Sequence, residues 1–240
     1  MTLMRRHKYV LIALGVYWLG VFTLTHIPVP DLAGKSGMSD KTMHVMAYFA
    51  LTFLAWCAVS PYHRIQWNCA KIWIIMAVIM AYGAADEYLQ GFVGRSADIH
   101  DFVADLFGMV FAVGVLSIFY FWSALLTASV VSVFVISNLS NLTGLYPEYH
   151  LNTLFHFIAY TGLSLIWMQH MERYLPLRHN RAAWLLTAAA LPLAMLAMVL
   201  TTASFFGKIF WGVDAATAVF GIMAAILTSW LTFSFTQKNR

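Results

Sequence analysis

The polar residues that could do chemistry are concentrated in residues 81–108 of a chain that is otherwise largely apolar. They are Asp86, Glu87, Gln90, Arg95, Asp98, Asp101 and Asp105. Ionisable groups at a membrane boundary are costly to desolvate, so they usually line a protein interior or a wet cavity and have a function. The stretch therefore predicts a polar site between apolar helices, in which carboxylates could bind a ligand or transfer protons.

A second group of polar residues precedes this stretch and has helical spacing. Lys41 and His44 are three residues apart, and Tyr48 follows four residues later, so the three side chains share one helix face. Glu87 and Gln90 are also three residues apart. We therefore expect one helix before the acidic stretch and one within it to contribute to the site.

The aspartates at the end of the stretch form a stripe on one helix face. Asp98, Asp101 and Asp105 repeat at spacings of three and four residues. Gly108 and Ala112 continue the stripe with small residues, which permit close contact between helices. The stripe is thus expected to begin as an acidic surface and to become a packing seam deeper in the membrane.

The composition identifies a membrane protein. Of the 240 residues, 61% are hydrophobic and only 10% are charged, with a mean hydropathy of +0.74, whereas a soluble domain has about a quarter charged residues. The basic residues form no patch interleaved with aromatics, so nucleic acid is not predicted as a partner despite a pI of about 9.1. Cys57 and Cys69 fit no zinc or CxxC spacing.

Eight apolar segments predict an all-α integral membrane bundle of about eight transmembrane helices. The predicted helices span residues 9–25, 43–59, 72–85, 98–122, 124–139, 151–169, 182–203 and 210–235. The third is expected to continue as a polar turn to Gln90, and Ser39 or Asp40 to cap the second. A tight turn near Trp122 and Ser123 is expected to separate the fourth helix from the fifth, because one helix over both would be too long for a single crossing.

The basic residues predict the orientation of the chain. Ten of the 14 lysines and arginines fall on one side of the predicted helices and four on the other. The four are Lys35, Lys41, Arg95 and Lys208. Because positive charge accumulates on the cytoplasmic side, both termini are predicted to be cytoplasmic and the polar site to face the periplasm or the exterior.

The two halves of the sequence, residues 1–122 and 123–240, resemble each other. The aligned pairs are His44 and His156, Ala47 and Ala159, Tyr48 and Tyr160, Leu51 and Leu163, Asp101 and Asp214, Phe107 and Phe220, and Gly108 and Gly221. This favours a duplication over chance similarity between apolar helices. Since each half has an even number of helices, the two repeats are expected to be parallel, related by an axis along the membrane normal.

The second half has lost most of the polar groups of the first. Lys41 aligns with Thr153, Glu87 with Leu200, Gln90 with Ala203, and Asp105 with Ala218. We therefore expect the first repeat to carry the polar site and the second to be a degenerate copy.

The polar positions of the first half resemble the VanZ-like membrane protein family. The pattern is D-K-x2-H-x3-Y at Asp40, Lys41, His44 and Tyr48, followed by G-x2-D-E-x2-Q-x4-R-x2-D-x2-D-x3-D-x2-G from Gly83 to Gly108. The resemblance is close over residues 38–115 and weak in the second half, and the family often has Asn where this chain has Asp105. It implies a small polytopic protein of the cell envelope with a possible role in resistance to the glycopeptide teicoplanin, and it implies no settled biochemical activity.

The first functional hypothesis is binding of a polar lipid or a lipid-linked envelope precursor at the outer leaflet, with movement of that ligand as an extension of the same hypothesis. Lys41 and Arg95 would hold phosphate. Glu87, Gln90 and the aspartates would hold sugar hydroxyls or an amine. His44, Tyr48 and Asp86 complete the predicted ligand-binding set. Membrane lipids are the expected partners, no cofactor is predicted, and the oligomeric state is left open.

Two alternatives come from other classes of protein. In an intramembrane enzyme acting on a lipid-linked substrate, Glu87 would be the general acid or base, with His44 and Asp101 as further catalytic candidates. A metal ion held by His44, Glu87 and Asp101 is conceivable there, but no ligand spacing supports it and none is predicted. In an envelope scaffold, the charges would only pin the outer helix ends, with His44 a core histidine and Asp98 a helix start.

Overall fold

The computed structural model describes residues 2–26, 38–60, 63–92, 98–139, 151–175, 180–207 and 212–238. Within these ranges it contains eight α-helices and no strand. The helices are α1 (Thr2–His26), α2 (Asp40–Val59), α3 (Ala70–Gln90), α4 (Ile99–Ile118), α5 (Phe121–Leu139), α6 (Leu151–Tyr174), α7 (Arg181–Phe205) and α8 (Gly212–Lys238). All eight are long and apolar enough to cross a membrane, so the prediction of an all-helical multi-pass membrane protein is confirmed.

The break between α4 and α5 lies earlier than the sequence predicted. The predicted division into two helices is present, but α4 ends at Ile118 rather than at Trp122 and α5 begins at Phe121, so the turn lies at Phe119 and Tyr120 rather than near Trp122 and Ser123. The backbone of Phe119 is extended, with φ −108° and ψ 146°. The aromatic run from Phe119 contains no polar or glycine residue, and hydropathy therefore gave no sign of the break.

The other helix ends mostly extend beyond the predicted apolar segments. Helix α6 continues through its basic last turn to Tyr174, and α3 reaches Gln90 as predicted. Polar side chains in a terminal turn can reach the membrane surface while their backbone stays helical, so hydropathy underestimates helix length. Helix α7 continues as α-helix through Pro192.

Among the helix starts that the structure describes, three have a side-chain cap. Ser39 accepts a hydrogen bond from the backbone N–H of Thr42 at 3.2 Å, which decides between the two predicted caps of α2. Asp98 caps α4 in the same way, and Asn180 caps α7. Each cap satisfies a backbone N–H that has no partner within its helix, and the caps on α2 and α4 define the helix ends at which the polar residues begin.

The described residues form two compact units, the first ending at Ala124 and the second beginning at Leu125. In the first unit α2 packs mainly against α4, with α1 and α3 beside them. Gly108 is buried in this contact, where a Cβ would overlap the carbonyl oxygen of Val45 and lie 2.9 Å from the backbone N of Phe49. The absence of a side chain at Gly108 lets the two backbones approach closely, as the small-residue stripe predicts.

The second unit repeats this packing in its own helices. Helix α6 packs mainly against α8, and α7 contacts both. A Cβ at Gly221 would lie 2.7 Å from the carbonyl oxygen of Phe157. Gly221 and Phe157 are the aligned equivalents of Gly108 and Val45, so the sequence similarity between the halves extends to a backbone contact.

Contacts at both ends of the first unit define the direction of its helices. Lys41 and Asp98 meet where α2 and α4 begin. At the opposite end, the guanidinium of Arg64 lies 4.0 Å from the ring centroid of Tyr120, and the backbone N–H of Ile65 donates to the carbonyl of Leu116 at 3.0 Å. Helices α2 and α4 therefore run parallel to each other, with α3 antiparallel between them in the chain.

Candidate functional site

The outermost layer of the site is a lysine shared by two aspartates. The Nζ atom of Lys41 lies 3.3 Å from Asp98 Oδ2 and 3.2 Å from Asp101 Oδ1. The side chain of Lys41 is 53% exposed and that of Asp101 only 10%. Lys41 therefore contacts the aspartate stripe, and its ammonium group has two carboxylate partners.

A buried pair lies one helical turn deeper. His44 Nδ1 is 2.8 Å from Asp105 Oδ1, and the two residues are only 6% and 2% exposed. His44 follows Lys41 by three positions and Asp105 follows Asp101 by four, so both helices carry the polar face inward. At a rise of 1.5 Å per residue, Asp105 lies about 10 Å along α4 from Asp98.

Helix α3 contributes the acids Asp86 and Glu87 with Gln90, all three buried. Glu87 Oε2 accepts a hydrogen bond from the backbone N–H of Asp98 at 3.1 Å. Gln90 Nε2 donates to Asp86 Oδ2 at 2.9 Å. The bond between Glu87 and Asp98 holds the end of α3 against the start of α4, whereas the bond between Gln90 and Asp86 lies within α3. Glu87 also lies close to the His44–Asp105 pair.

The sequence missed the contribution of α1. Thr25 Oγ1 donates to Asp86 Oδ1 at 3.0 Å, and His26 Nδ1 lies 3.6 Å from the same oxygen. Two consecutive polar residues at the end of an apolar helix were the only available signal, and helical spacing cannot show which acid they meet. Both oxygens of Asp86 therefore accept side-chain hydrogen bonds, from Thr25 and from Gln90, and we interpret Asp86 as a residue that holds the helices together.

Two buried oxygens in the site have no hydrogen-bond partner among the described residues. They are Tyr48 Oη and Asp105 Oδ2. A Cβ at Gly83 on α3 would lie 3.3 Å from Asp105 Oδ2 and 3.4 Å from Tyr48 Oη, so both atoms face this glycine. Buried polar atoms are nearly always paired in folded proteins, so these two atoms mark the place where the site is incomplete.

The described part of the site is strongly acidic. It contains six of the chain's ten acidic residues: Asp40, Asp86, Glu87, Asp98, Asp101 and Asp105. Against them stand Lys41 and three histidines, His26, His44 and His100. Arg95, the second cation predicted for the site, lies outside the described residues, as do Lys35 and Lys208. The described groups thus favour a ligand that is cationic or donates hydrogen bonds.

The carboxylates around His44 differ from the metal-ligand set considered from the sequence, which was His44, Glu87 and Asp101. His44, Glu87 and Asp105 each offer a ligand atom, and these atoms lie within 4.8 Å of one another. His44 forms a second such group with Asp40 and Asp101. Glu87 and Asp105 thus share one group with His44. Asp101 belongs to the other group, where it also bonds Lys41.

Asp98 has an electrostatic role at the start of α4. Its pKa is lowered to about 2, first by the hydrogen bond from the backbone N–H of His100, then by the His100 side chain and by Lys41. A carboxylate with a lowered pKa stabilises the folded protein above the unfolded pKa, and this contribution is lost as the pH falls.

We therefore expect the stability of the wild type to fall between pH 4 and pH 2 more steeply than that of Asp98→Asn. The asparagine cannot be protonated, so the difference between the two curves isolates Asp98. Thermal unfolding of the detergent-purified proteins from pH 6 to pH 2 measures it. Parallel curves over the whole range would contradict the role of Asp98.

The second unit shows what remains when most polar groups are removed. Thr153 Oγ1 donates to Asp214 Oδ1 at 2.8 Å, at positions aligned with Lys41 and Asp101. Tyr160, aligned with Tyr48, is fully buried. The same helix contact can therefore be closed by a hydroxyl and a carboxylate without a lysine.

This contact predicts that Lys41→Thr folds normally. Threonine already occupies the aligned position, Thr153, in the second unit. The substitution removes exposed ion pairs, which stabilise proteins only weakly. We expect a change in melting temperature of only about 2–4 °C, measured by thermal unfolding and size-exclusion chromatography. Aggregation of this variant would show that Lys41 is needed to hold α2 and α4 together.

A scan against protein-family models gives no match to this chain, and neither do searches of curated proteins and of solved structures. The similarity to the VanZ-like family therefore rests on the polar pattern of the first half and stays a prediction.

Proposed function

We propose that this chain is a membrane protein of the cell envelope whose first unit binds the polar end of a lipid or of a lipid-linked envelope precursor. The observation that carries the proposal is a row of polar side chains that leads from the exposed Lys41 to the buried His44–Asp105 pair. A ligand with a polar head and apolar tails matches such a site, because its tails stay in the bilayer while its head enters between helix ends.

The chemistry of the site suggests which parts of the ligand it holds. Ionised carboxylates only accept hydrogen bonds, so Glu87, Asp101 and Asp105 suit hydroxyl or amine groups. Lys41 suits a phosphate, which would exchange with one of its two carboxylate partners. Arg95 is proposed as the second phosphate ligand from its place in the sequence.

The proposed orientation puts this site at the outer face of the membrane and both termini in the cytoplasm. The distribution of basic residues supports it. Arg64 lies at the end of the first unit opposite to Lys41, as an alternating topology requires. Movement of the bound ligand and a role in glycopeptide resistance are extensions of the proposal, and the second depends on the family resemblance alone.

The buried pair supports a second candidate, an intramembrane enzyme acting on the same class of lipid. A histidine 2.8 Å from a carboxylate, with Glu87 in the same group, could transfer a proton to or from a substrate. This candidate requires a product, which binding alone does not form.

Native mass spectrometry of the protein purified in a mild detergent tests the proposal. We expect the wild type to retain a lipid or precursor that Glu87→Gln and Lys41→Thr release. The matched control is Asp214→Asn, which removes the aligned acid of the second unit and should retain the same ligand. Equal retention by wild type, Glu87→Gln and Lys41→Thr would overturn the proposal.

A turnover assay separates the remaining alternatives. Conversion of a labelled form of the retained lipid by the wild type, abolished in Glu87→Gln, would favour the enzyme. A scaffold predicts that Glu87→Gln and Asp101→Asn remain functional whenever they insert at normal abundance.

A further inference from the structure

Three metal-ligating side chains converge in the first unit from three different helices. His44 comes from α2, Glu87 from α3 and Asp105 from α4, and all three are buried. We infer that these three residues form a binding site for one divalent transition-metal ion. The inference goes beyond the proposed function, because it needs no lipid and would hold for an enzyme or a scaffold as well.

The distances suit a metal ion with little rearrangement. Two donors at about 2.1 Å from one ion in tetrahedral geometry lie about 3.4 Å apart. His44 Nδ1 and Asp105 Oδ1 are 2.8 Å apart, and the whole group lies within 4.8 Å. The pair must open by about 0.6 Å to bind an ion, and the proton that it shares would leave to solvent.

The unpartnered oxygens provide the independent observation. Asp105 Oδ2 and Tyr48 Oη are enclosed without a hydrogen-bond partner among the described residues. Both face Gly83, which lies one turn before Glu87 on the same face of α3. A carboxylate with one unused oxygen in an enclosed place has the ligand capacity that a bound cation would satisfy.

Charge favours this group over the second group that shares His44. In the part of the chain that the structure describes, neither Glu87 nor Asp105 pairs with a lysine or arginine. In the group of Asp40, His44 and Asp101, by contrast, Asp101 is already bonded to Lys41 at 3.2 Å. An ammonium group beside Asp101 repels a second cation, so the deeper group is the better site.

The donor set defines the class of metal. One imidazole with two carboxylates suits Zn²⁺, Mn²⁺ or Fe²⁺, whereas Mg²⁺ and Ca²⁺ prefer sites made only of oxygen. Three protein ligands leave a further position open, as in catalytic zinc sites. Tyr48 Oη lies near this group and could hydrogen-bond whatever occupies the open position.

Titration of the chelator-treated full chain with Zn²⁺ in mild detergent tests the inference. We expect one Zn²⁺ per chain for the wild type, and affinity at least tenfold weaker for both Asp105→Asn and Glu87→Gln. Zn²⁺ should raise the melting temperature of the wild type much more than that of either variant. If one of the variants does not fold, the other and the wild-type stoichiometry decide the result.

Two matched controls locate the site. Asp101→Asn should bind Zn²⁺ like the wild type, and Lys41→Thr should bind it equally well or more tightly, because a nearby positive charge is removed. The inference is overturned if the wild type binds no stoichiometric Zn²⁺, if Asp105→Asn binds like the wild type, or if Asp101→Asn is the variant that loses binding. Since Lys41→Thr should release lipid but keep Zn²⁺, failure of the metal site and failure of the lipid site can be told apart.

Discussion

Replacing His44 by leucine is expected to destabilise the protein by about 3–5 kcal/mol, the usual cost of removing one partner from a buried ion pair. The cost arises because Asp105, only 2% exposed, would lose its hydrogen-bond partner His44 and remain enclosed among apolar helices. Equilibrium unfolding in detergent, or loss of the folded protein during purification, measures it.

The chain provides a matched control for this substitution. His100 Nδ1 lies 2.8 Å from Asp98 Oδ1, the same separation as in the buried pair, but its side chain is 72% exposed. His100→Leu should cost well below the effect at His44, because water solvates the carboxylate that is left behind. Equal effects at both positions would mean that burial of the His44–Asp105 pair is not the source of the stability.

The double variant His44→Leu/Asp105→Leu gives a second check on the cause. Replacing both members of a buried pair by apolar residues is often neutral or even stabilising, since no charge is left without a partner. We expect the double variant to recover most of the stability lost in His44→Leu. It should nevertheless remain unable to bind lipid or Zn²⁺, which would separate the stability of the pair from its proposed function.

Gly108→Ala is expected to cost about 1–3 kcal/mol or more, although alanine is normally the better helix former. The added methyl group would overlap the carbonyl oxygen of Val45, and backbone atoms cannot move aside as a flexible side chain can. Separation of α2 and α4 would also move Lys41 away from Asp98 and Asp101, so ligand binding should fall together with stability.

The control for this prediction is Gly114, six residues further along the same helix. No described atom lies within 4 Å of a Cβ placed at Gly114. Gly114→Ala should therefore be neutral or stabilise the protein by up to about 1 kcal/mol through helix propensity. Comparison of the two melting temperatures checks both predictions, and destabilisation of the same size at both positions would contradict the close contact at Gly108.

The sequence by itself determined the number of helices and most of their extents. Runs of apolar residues long enough to cross a bilayer are a local property, and hydropathy reads them directly. It also determined which polar residues belong to one face, because Lys41, His44 and Tyr48 follow the helical period. The repeat was visible for the same reason, since Gly108 and Gly221 keep equivalent packing positions along the chain.

Only the tertiary structure decided which residues meet. Spacing places Asp101 and Asp105 on the same face of α4. It does not show that Lys41 bonds Asp101 or that His44 bonds Asp105. Nor does it say that Thr25 bonds Asp86 or that Tyr48 and Asp105 face Gly83. Helical periodicity defines the direction of a side chain around its own axis, whereas partners depend on the rotation and depth of neighbouring helices, which packing between helices determines.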